Sequence, residues 1–302
     1  MRKTVITTDN FYRDAKKLRS LFEKRFDDPR GANHERFIWD YWHVPEKYTV
    51  LRTPAYHFFS KKIYEDFHNH LVWWGRRHLG CHDISPPWMS CYVEGCHQDL
   101  HGDLPHGPWA FVYSLTPWKN RKFTGGETFL LRDEILTYWQ NQRSGTGLGL
   151  DREDIVQELP ALFNRLTVFD PRIPHGVKEV RGVHDVMDAR LVIHGWFVQP
   201  RPFVEGPLAT RAVQNLIEDL SGSLNELINE GLEINGMMSL RFPVSASGAV
   251  GKSTVLSNAL RHPGGDVRIE HALVKHVSDF LKRAKLPRAR ANSYVTLPLI
   301  FE

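Results

Sequence analysis

Two histidines and one aspartate in this 302-residue chain have the types and spacing of a metal site. His101 and Asp103 form a His-x-Asp pair, and His175 stands in a strand-like run far downstream. Side chains alternate along a strand, so a His-x-Asp pair places both side chains on one face. Two imidazoles and one carboxylate leave three open positions on a bound iron ion, as oxygen chemistry with a chelating cosubstrate requires. The pattern therefore predicts a metal site of this kind.

Short β-type runs separated by Gly, Pro and Asn must position these side chains. They extend from Pro87 to about residue 200 and include AFVYSLTPW, NRLTVFD and ARLVIHGWFV. Many short strands with turn signals favour a double-stranded β-helix, the eight-stranded jelly roll. Apolar spacing predicts helices over about 9–26 and 61–78, and residues 132–160 are more polar and resemble a helical or mobile insertion. We therefore expect a mainly β fold with flanking helices over residues 1–200.

The bulk composition is that of an ordinary soluble globular protein, with 41% hydrophobic and 25% charged residues. The net charge of +4 comes from 39 basic and 35 acidic residues, a near-balance that gives no footprint for nucleic-acid binding. Three cysteines, Cys81, Cys91 and Cys96, favour a reducing compartment over a disulfide framework. No segment resembles a signal peptide or a membrane span. We therefore expect a cytoplasmic protein with neither a nucleic-acid nor a membrane partner.

Six sequence elements follow one another between residues 36 and 200. They are Tyr92-x-x-Gly95, His101-x-Asp103, Gly125-Gly126-Glu127-Thr128, the run from Asn164 to Asp170, Pro174-His175-Gly176-Val177, and Arg190 in ARLVIHGWF. In this order they resemble the 2-oxoglutarate- and iron(II)-dependent oxygenase superfamily, in its prolyl-hydroxylase-like branch. The ordered set carries the resemblance, because a single His-x-Asp pair is a weak signal.

The resemblance implies both the cofactors and their residues. His101, Asp103 and His175 would hold Fe(II) as the catalytic centre, and Arg190 would pair with the distal carboxylate of 2-oxoglutarate. Tyr113, on the strand AFVYSLTPW, is the further side chain that we expect to face the cosubstrate. The implied reaction uses dioxygen, with ascorbate as a supporting reductant, and converts 2-oxoglutarate to succinate and CO2. Since Asp103 is not a small residue, we expect hydroxylation of an amino-acid side chain, free or in a peptide or protein, rather than halogenation.

The ligand pair and the carboxylate anchor each have an alternative. His97 and Asp99 form a second His-x-Asp pair, although the spacing from Tyr92-x-x-Gly95 favours the downstream pair. His97 and His106 would then line the pocket or hydrogen-bond to the ligands. Arg181 is an alternative anchor to Arg190, but it falls within a loop.

The C-terminal part predicts a separate small module. Residues 201–230 form a helical connector, and residues 231–302 have the order hairpin, helix, strand, which indicates a small α+β domain. This order resembles the C-terminal domain of TonB-type energy transducers, which implies docking of a protein or peptide at a strand edge. The alternative is that the module packs on the jelly roll or forms a dimer contact. The run GAVGKST is no phosphate-binding loop, because Ala246 stands where the motif needs Gly and a strand follows it.

Two rival functions use the same fold. One is a non-catalytic jelly roll that binds a metal or ligand and serves as an interaction module, which would have no need of a buried Arg190. The other is a dioxygenase of the cupin type without a keto acid, which would need a third histidine such as His106 or His184. We expect the 2-oxoglutarate-dependent enzyme.

Overall fold

The computed structural model describes residues 2–26, 39–133, 135–136 and 152–302, and the chain divides into two compact units. The first, called the cavity unit, comprises residues 5–71 and 84–198. The second, called the C-terminal unit, comprises the N-terminal residues up to Thr4, residues 72–83 and residues 199–302. The C-terminal unit thus takes in two segments from early in the chain, which local patterns gave no means to foresee. The predicted insertion over 132–160 lies mostly outside the described residues.

Twelve strands of the described residues pair in one curled antiparallel sheet. They are β1 (Val5–Thr8), β2 (Asp40–Val44), β3 (Tyr48–Pro54), β4 (Cys81–Ile84), β5 (Trp88–Tyr92), β6 (His97–His101), β7 (Trp109–Ser114), β8 (Thr128–Leu131), β9 (Val156–Leu159), β10 (Leu166–Phe169), β11 (His175–Val177) and β12 (Arg190–Pro200). The order across the sheet is β1-β10-β7-β12-β5-β3-β6-β11-β8-β9, and β2 pairs β3 while β4 pairs β12 beside this path. This arrangement confirms the predicted jelly roll.

Strand β12 shows how the sheet separates its core from its cavity. Ile193 and Phe197 are fully buried, whereas the alternate residues Arg190, His194 and Trp196 line a cavity on the other face. Side chains of successive strand residues point to opposite faces, so an apolar and a polar set can share one strand. The strand therefore contributes to the core and to the cavity at the same time.

Four named α-helices lie before the last strands of the jelly roll in the part of the chain that the structure describes. They are α1 (Ala15–Phe26), α2 (Ala55–Phe58), α3 (Lys61–His78) and α4 (Arg152–Ile155). The predicted helix over 61–78 is confirmed, and the one predicted from residue 9 begins later, at Ala15. Leu18 and Phe22 are buried on one side of α1, as the helical period of its apolar residues requires.

Residues 199–302 of the C-terminal unit form a four-stranded antiparallel sheet and two helices. These elements are β13 (Phe203–Glu205), α5 (Thr210–Asn229), β14 (Gly236–Val244), β15 (Thr254–Asn258), α6 (Val267–Arg283) and β16 (Ser293–Phe301), with strand order β13-β16-β14-β15. Leu216, Leu220 and Leu224 of α5 join the apolar core of this unit. The predicted hairpin, helix and final strand are confirmed, and the GAVGKST run leads into β15 rather than into a helix.

The described residues contain no helix of the length and apolar character that crossing a membrane requires.

Candidate metal centre

His101 and His175 are brought together by the pairing of two strands. They lie directly opposite each other in the register of β6 and β11, and their ring centroids are 4.5 Å apart. Directly opposed residues of an antiparallel pair project to the same face of the sheet. Two histidines separated by 73 intervening residues therefore present their imidazoles side by side.

Hydrogen bonds to the main chain fix both imidazole rings. The Nδ1 of His101 donates to the carbonyl of Asp99 at 2.7 Å, and the Nδ1 of His175 donates to the carbonyl of Ile173 at 2.8 Å. A carbonyl oxygen can only accept, so Nδ1 carries the proton in each ring and the lone pair is on Nε2. Both histidines are thus held in the tautomer that can ligate a metal through Nε2.

Asp103 completes the cluster from a turn. It lies two residues beyond the end of β6, and its main-chain NH donates to the carbonyl of Pro171. Its carboxylate oxygens lie 3.8 Å from Nε2 of His101 and 3.3 Å from Nε2 of His175. Alternation predicted that His101 and Asp103 would share one strand. Asp103 instead lies in the turn after β6, but its carboxylate still converges with the two imidazoles.

The electrostatics of the cluster favour an ionised carboxylate. Burial raises the pKa of Asp103, but the neighbouring imidazoles of His175, His101 and His106 lower it by more, so the net pKa lies below its usual range. Among the described residues, His101, Asp103 and His175 are the group whose ligand atoms could hold a metal ion, with these atoms all within 4.8 Å of one another. A carboxylate and two neutral imidazoles are a donor set that suits Fe(II).

Beside this cluster lies a cavity of about 740 Å³ that contains a buried arginine. Arg190 is only 1% exposed, and its Nη2 donates to the hydroxyl of Thr128 at 3.1 Å. Its guanidinium carbon lies 4.5 Å from the centroid of the Tyr92 ring. Its Nε and Nη1 find no acceptor among the described residues. Buried donors are almost always paired in proteins, so this guanidinium is poised for an anionic ligand.

A glycine turn provides room for this arginine. Gly126 has a φ of +77°, and a Cβ built there would lie 3.1 Å from Cδ of Arg190 and 3.0 Å from the ring of Phe123. A residue with a side chain would therefore be strained in its backbone and would crowd the anchor. Burial lowers the pKa of Arg190, and the phenol of Tyr92 and the carboxylate of Glu127 oppose that effect.

Strand β12, which contains Arg190, supplies two further cavity residues to which the sequence analysis assigned no role. His194 lines the cavity, and its Nε2 lies 2.8 Å from the hydroxyl of Ser90. Burial, followed by the positive charges of Arg52 and Arg190, lowers the pKa of His194 to about 3. The indole Nε1 of Trp196 is buried without an acceptor among the described residues. Period-two counting from Arg190 would have found both residues.

Tyr113 lies on the opposite face of its strand from the cavity. Its hydroxyl donates to Oδ1 of Asn164 at 3.0 Å, and its ring packs against Phe11 and Phe67. Its neighbour Val112 lines the cavity instead. The structure therefore does not bring Tyr113 to the predicted cosubstrate site, and Tyr92 and Thr128 are the side chains that contact Arg190.

The alternative ligands lie outside the cluster. His97 is four residues from His101 along β6, a separation of ~13 Å in a strand, and its Nδ1 donates to the carbonyl of Gly95. Asp99 lines the mouth of the cavity and belongs to no described metal-binding group.

His106 lines the cavity, as predicted, but is not a member of the ligand cluster, and His184 and Arg181 are not in the cavity lining. The ring of His106 packs on Trp196 with centroids 4.4 Å apart, and His184 is exposed. Arg181 is also exposed and forms an ion pair with Glu179. Neither a third histidine ligand nor a second carboxylate anchor is therefore assembled from these residues.

Several solved structures are similar in fold to part of this chain at low sequence identity. No protein-family model matches the chain, and no curated protein matches it. A prolyl hydroxylase from Trichoplax adhaerens, solved with a fragment of the hypoxia inducible factor oxygen degradation domain, is 15% identical with a TM-score of 0.43, over 65% of this chain and 84% of that one. A Pseudomonas putida prolyl-4-hydroxylase is 14% identical with a TM-score of 0.43, over 65% of this chain and 93% of that one.

A third similar structure is HygX from Streptomyces hygroscopicus with nickel and 2-oxoglutarate bound. It is 11% identical with a TM-score of 0.40, over 64% of this chain and 81% of that one. None of these comparisons supports the resemblance of residues 231–302 to TonB-type domains, which stays a prediction. The similarities concern the fold, and none of them bears on the reaction of this chain.

Proposed function

We propose that this protein is an Fe(II)- and 2-oxoglutarate-dependent dioxygenase that hydroxylates an amino-acid side chain, free or in a peptide or protein. The single observation that carries the proposal is the pairing of two features in one cavity. Its wall holds a His-Asp-His cluster, and the buried guanidinium of Arg190 in the same cavity has two donors for which the described residues offer no acceptor. A metal site alone would leave that guanidinium unexplained.

Each residue has a role that its contacts support. His101, Asp103 and His175 would hold the iron through Nε2, a carboxylate oxygen and Nε2, because both Nδ1 atoms are already engaged. When bound, iron with 2-oxoglutarate and dioxygen supplies oxidative decarboxylation of the cosubstrate and hydroxylation of a C–H bond. Arg190 would fix the register of 2-oxoglutarate by donating Nε and Nη1 to its distal carboxylate.

The protein also provides apolar walls and an oriented anchor. Val112, Val192 and Trp196 line the cavity with apolar surface, which reduces the water that can compete for the open metal positions. Thr128 and Tyr92 hold the guanidinium from either side, so that it needs no reorganisation when the cosubstrate enters.

The rival reading is a non-catalytic metal-binding jelly roll. It would not require a buried cation with unpaired donors, since such a group costs stability unless a ligand completes it. Docking of a protein or peptide through residues 231–302 and a cytoplasmic location also remain our proposals, independent of the catalytic one.

Substrate-independent turnover tests the proposal directly. Purified protein supplied with Fe(II), ascorbate, dioxygen and 2-oxoglutarate should release succinate slowly, and His175→Ala should abolish the release. The exposed His184→Ala is the matched control and should retain it. Succinate release that persists in His175→Ala, or its absence in the wild-type protein with stoichiometric iron, would contradict the proposed function.

A further inference from the structure

A second arginine in the cavity wall is unexplained by the iron and the cosubstrate. The guanidinium carbon of Arg52 lies 3.5 Å from the centroid of the Trp42 ring and 4.3 Å from that of Trp88. Arg52 and Trp88 both line the cavity. The Nε of Arg52 is buried and finds no acceptor among the described residues. Aromatic rings contact this cation, but an acceptor for its buried donor is missing.

The sheet register separates this arginine from Arg190. Arg190 lies opposite Tyr92 of β5, whereas Arg52 lies opposite Ser90 of the same strand from its other side. Two strand spacings across and two residues along put their Cα atoms about 12 Å apart in a regular sheet. Arg52 therefore belongs to a different strand from Arg190 and occupies a position of the wall separate from the proposed cosubstrate anchor.

We propose that Arg52, supported by Trp42 and Trp88, binds a carboxylate of the hydroxylated substrate. This inference rests on the proposed function and adds the substrate class to it: an amino acid, or a peptide whose C-terminal carboxylate reaches into the cavity. The side chain to be hydroxylated would extend from that carboxylate towards the His-Asp-His cluster.

The surroundings favour a singly charged, planar acid. Ring contacts cover the guanidinium and leave its in-plane N–H groups as the donors, which match a carboxylate in a bidentate pair. Asp40 is directly opposite Arg52 in the β2–β3 register but forms no described ion pair with it. Glu46 and Asp99 line the cavity together with the single Lys47. A doubly charged phosphate would be opposed by these two carboxylates.

Burial makes the pairing effective. Desolvation by burial lowers the pKa of Arg52, and the phenols of Tyr48 and Tyr92 and the carboxylate of Asp40 oppose that effect. A cation that has already lost part of its hydration gains more from a partner than an exposed one does. A merely structural arginine stacked on tryptophan would not discriminate between an acid and its amide.

Matched pairs of acids and amides provide the test. The twenty free L-amino acids and their C-terminal amides are titrated by calorimetry into the full-length protein, anaerobically, with Fe(II) and saturating 2-oxoglutarate. At least one acid should bind about 10- to 100-fold more tightly than its amide, the range expected for charge-assisted hydrogen bonds. Arg52→Met should reduce this ratio to about 1, and Arg52→Lys should restore part of it.

Two control variants isolate the site. Arg13→Met changes an exposed arginine and should keep the acid preference of the wild-type protein. Arg190→Met distinguishes the two anion-binding subsites. An acid preference that is lost in Arg190→Met and kept in Arg52→Met would overturn the proposal. The absence of any preferred acid would also overturn it. So would Arg52-dependent binding of O-phosphorylated amino acid amides.

Succinate release, measured in parallel, separates this inference from the proposed function. Arg52-dependent binding of an acid without succinate release would support the carboxylate site and contradict the oxygenase. Succinate release without an acid preference would leave the oxygenase standing and refute the carboxylate site.

Discussion

The replacement of Arg190 by Met tests the central geometric argument. Arg190→Met keeps most of the buried volume and removes the charge and all five donors. Nε and Nη1, which meet no acceptor in the part of the chain that the structure describes, can both donate to one carboxylate. A hydrogen bond to a charged group contributes about 1.5–3 kcal/mol, and two bonds to one partner are not fully additive. We expect a loss of about 2–4 kcal/mol, equivalent to 30- to 1000-fold weaker binding of 2-oxoglutarate.

The assay is calorimetric titration of 2-oxoglutarate into the anaerobic Fe(II) protein, with the iron content measured separately. Iron content should not change, because Arg190 is no member of the metal-binding cluster. Arg181→Met is the matched control, since Arg181 has a side chain that is 67% exposed and pairs with Glu179. Affinity of Arg190→Met within threefold of the wild-type value would refute the assignment of the anchor.

The same variant distinguishes a ligand-binding arginine from a structural one. A buried charge without an ionic partner destabilises the folded protein, so its removal should not lower the free energy of unfolding in the absence of 2-oxoglutarate. Urea denaturation with and without the cosubstrate measures this. If ligand-free Arg190→Met lost several kcal/mol, the guanidinium would be holding the fold together and the argument from its unpaired donors would fail.

Three further predictions follow from the described contacts. Alanine in place of His101, Asp103 or His175 should abolish stoichiometric iron binding, whereas His97→Ala should retain it; metal analysis after dialysis decides between the two ligand pairs. Tyr113→Phe should leave the affinity for 2-oxoglutarate unchanged and lower the free energy of unfolding by about 1 kcal/mol, because the hydrogen bond to Asn164 is lost. Weaker binding of 2-oxoglutarate to this variant would contradict the placement of Tyr113. His194, with a folded pKa of about 3 against an ordinary value of 6.5, stays neutral while the unfolded chain takes up a proton, so its contribution to stability is present above pH 6.5 and declines towards pH 3. Full linkage would change the free energy of unfolding by ~1.4 kcal/mol per pH unit. Because His194 is only partly buried, we expect about half of that slope between pH 6 and 4. In His194→Gln, the slope of the free energy of unfolding against pH should decrease by this amount, as urea denaturation across that pH range would measure.

The sequence by itself determined the chemistry that is available and most of the local elements. Short strands with turn residues between them, the helix over 61–78 and the final strand of the C-terminal unit depend on periodicities of two and 3.6, which nearby residues encode. The types and order of His101, Asp103, His175 and Arg190 likewise required no coordinates.

The tertiary structure decided which of these side chains meet. The register of β6 against β11 sets His101, rather than His97, opposite His175, and such a register depends on contacts between residues far apart in the chain. The packing of strand β7 determined which of its faces lies against the core. Tyr113 is on the core face, and Val112 is on the face that lines the cavity.

Whether a buried group has a partner is also a property of the assembled fold. Arg190 and Arg52 look like any other arginines in the sequence, and only packing shows that both have buried donors to which no described residue offers an acceptor. Desolvation depends on every neighbouring element at once, so no local pattern encodes it. The candidate ligands were therefore readable from the residues, whereas the two anion-binding positions required the folded chain.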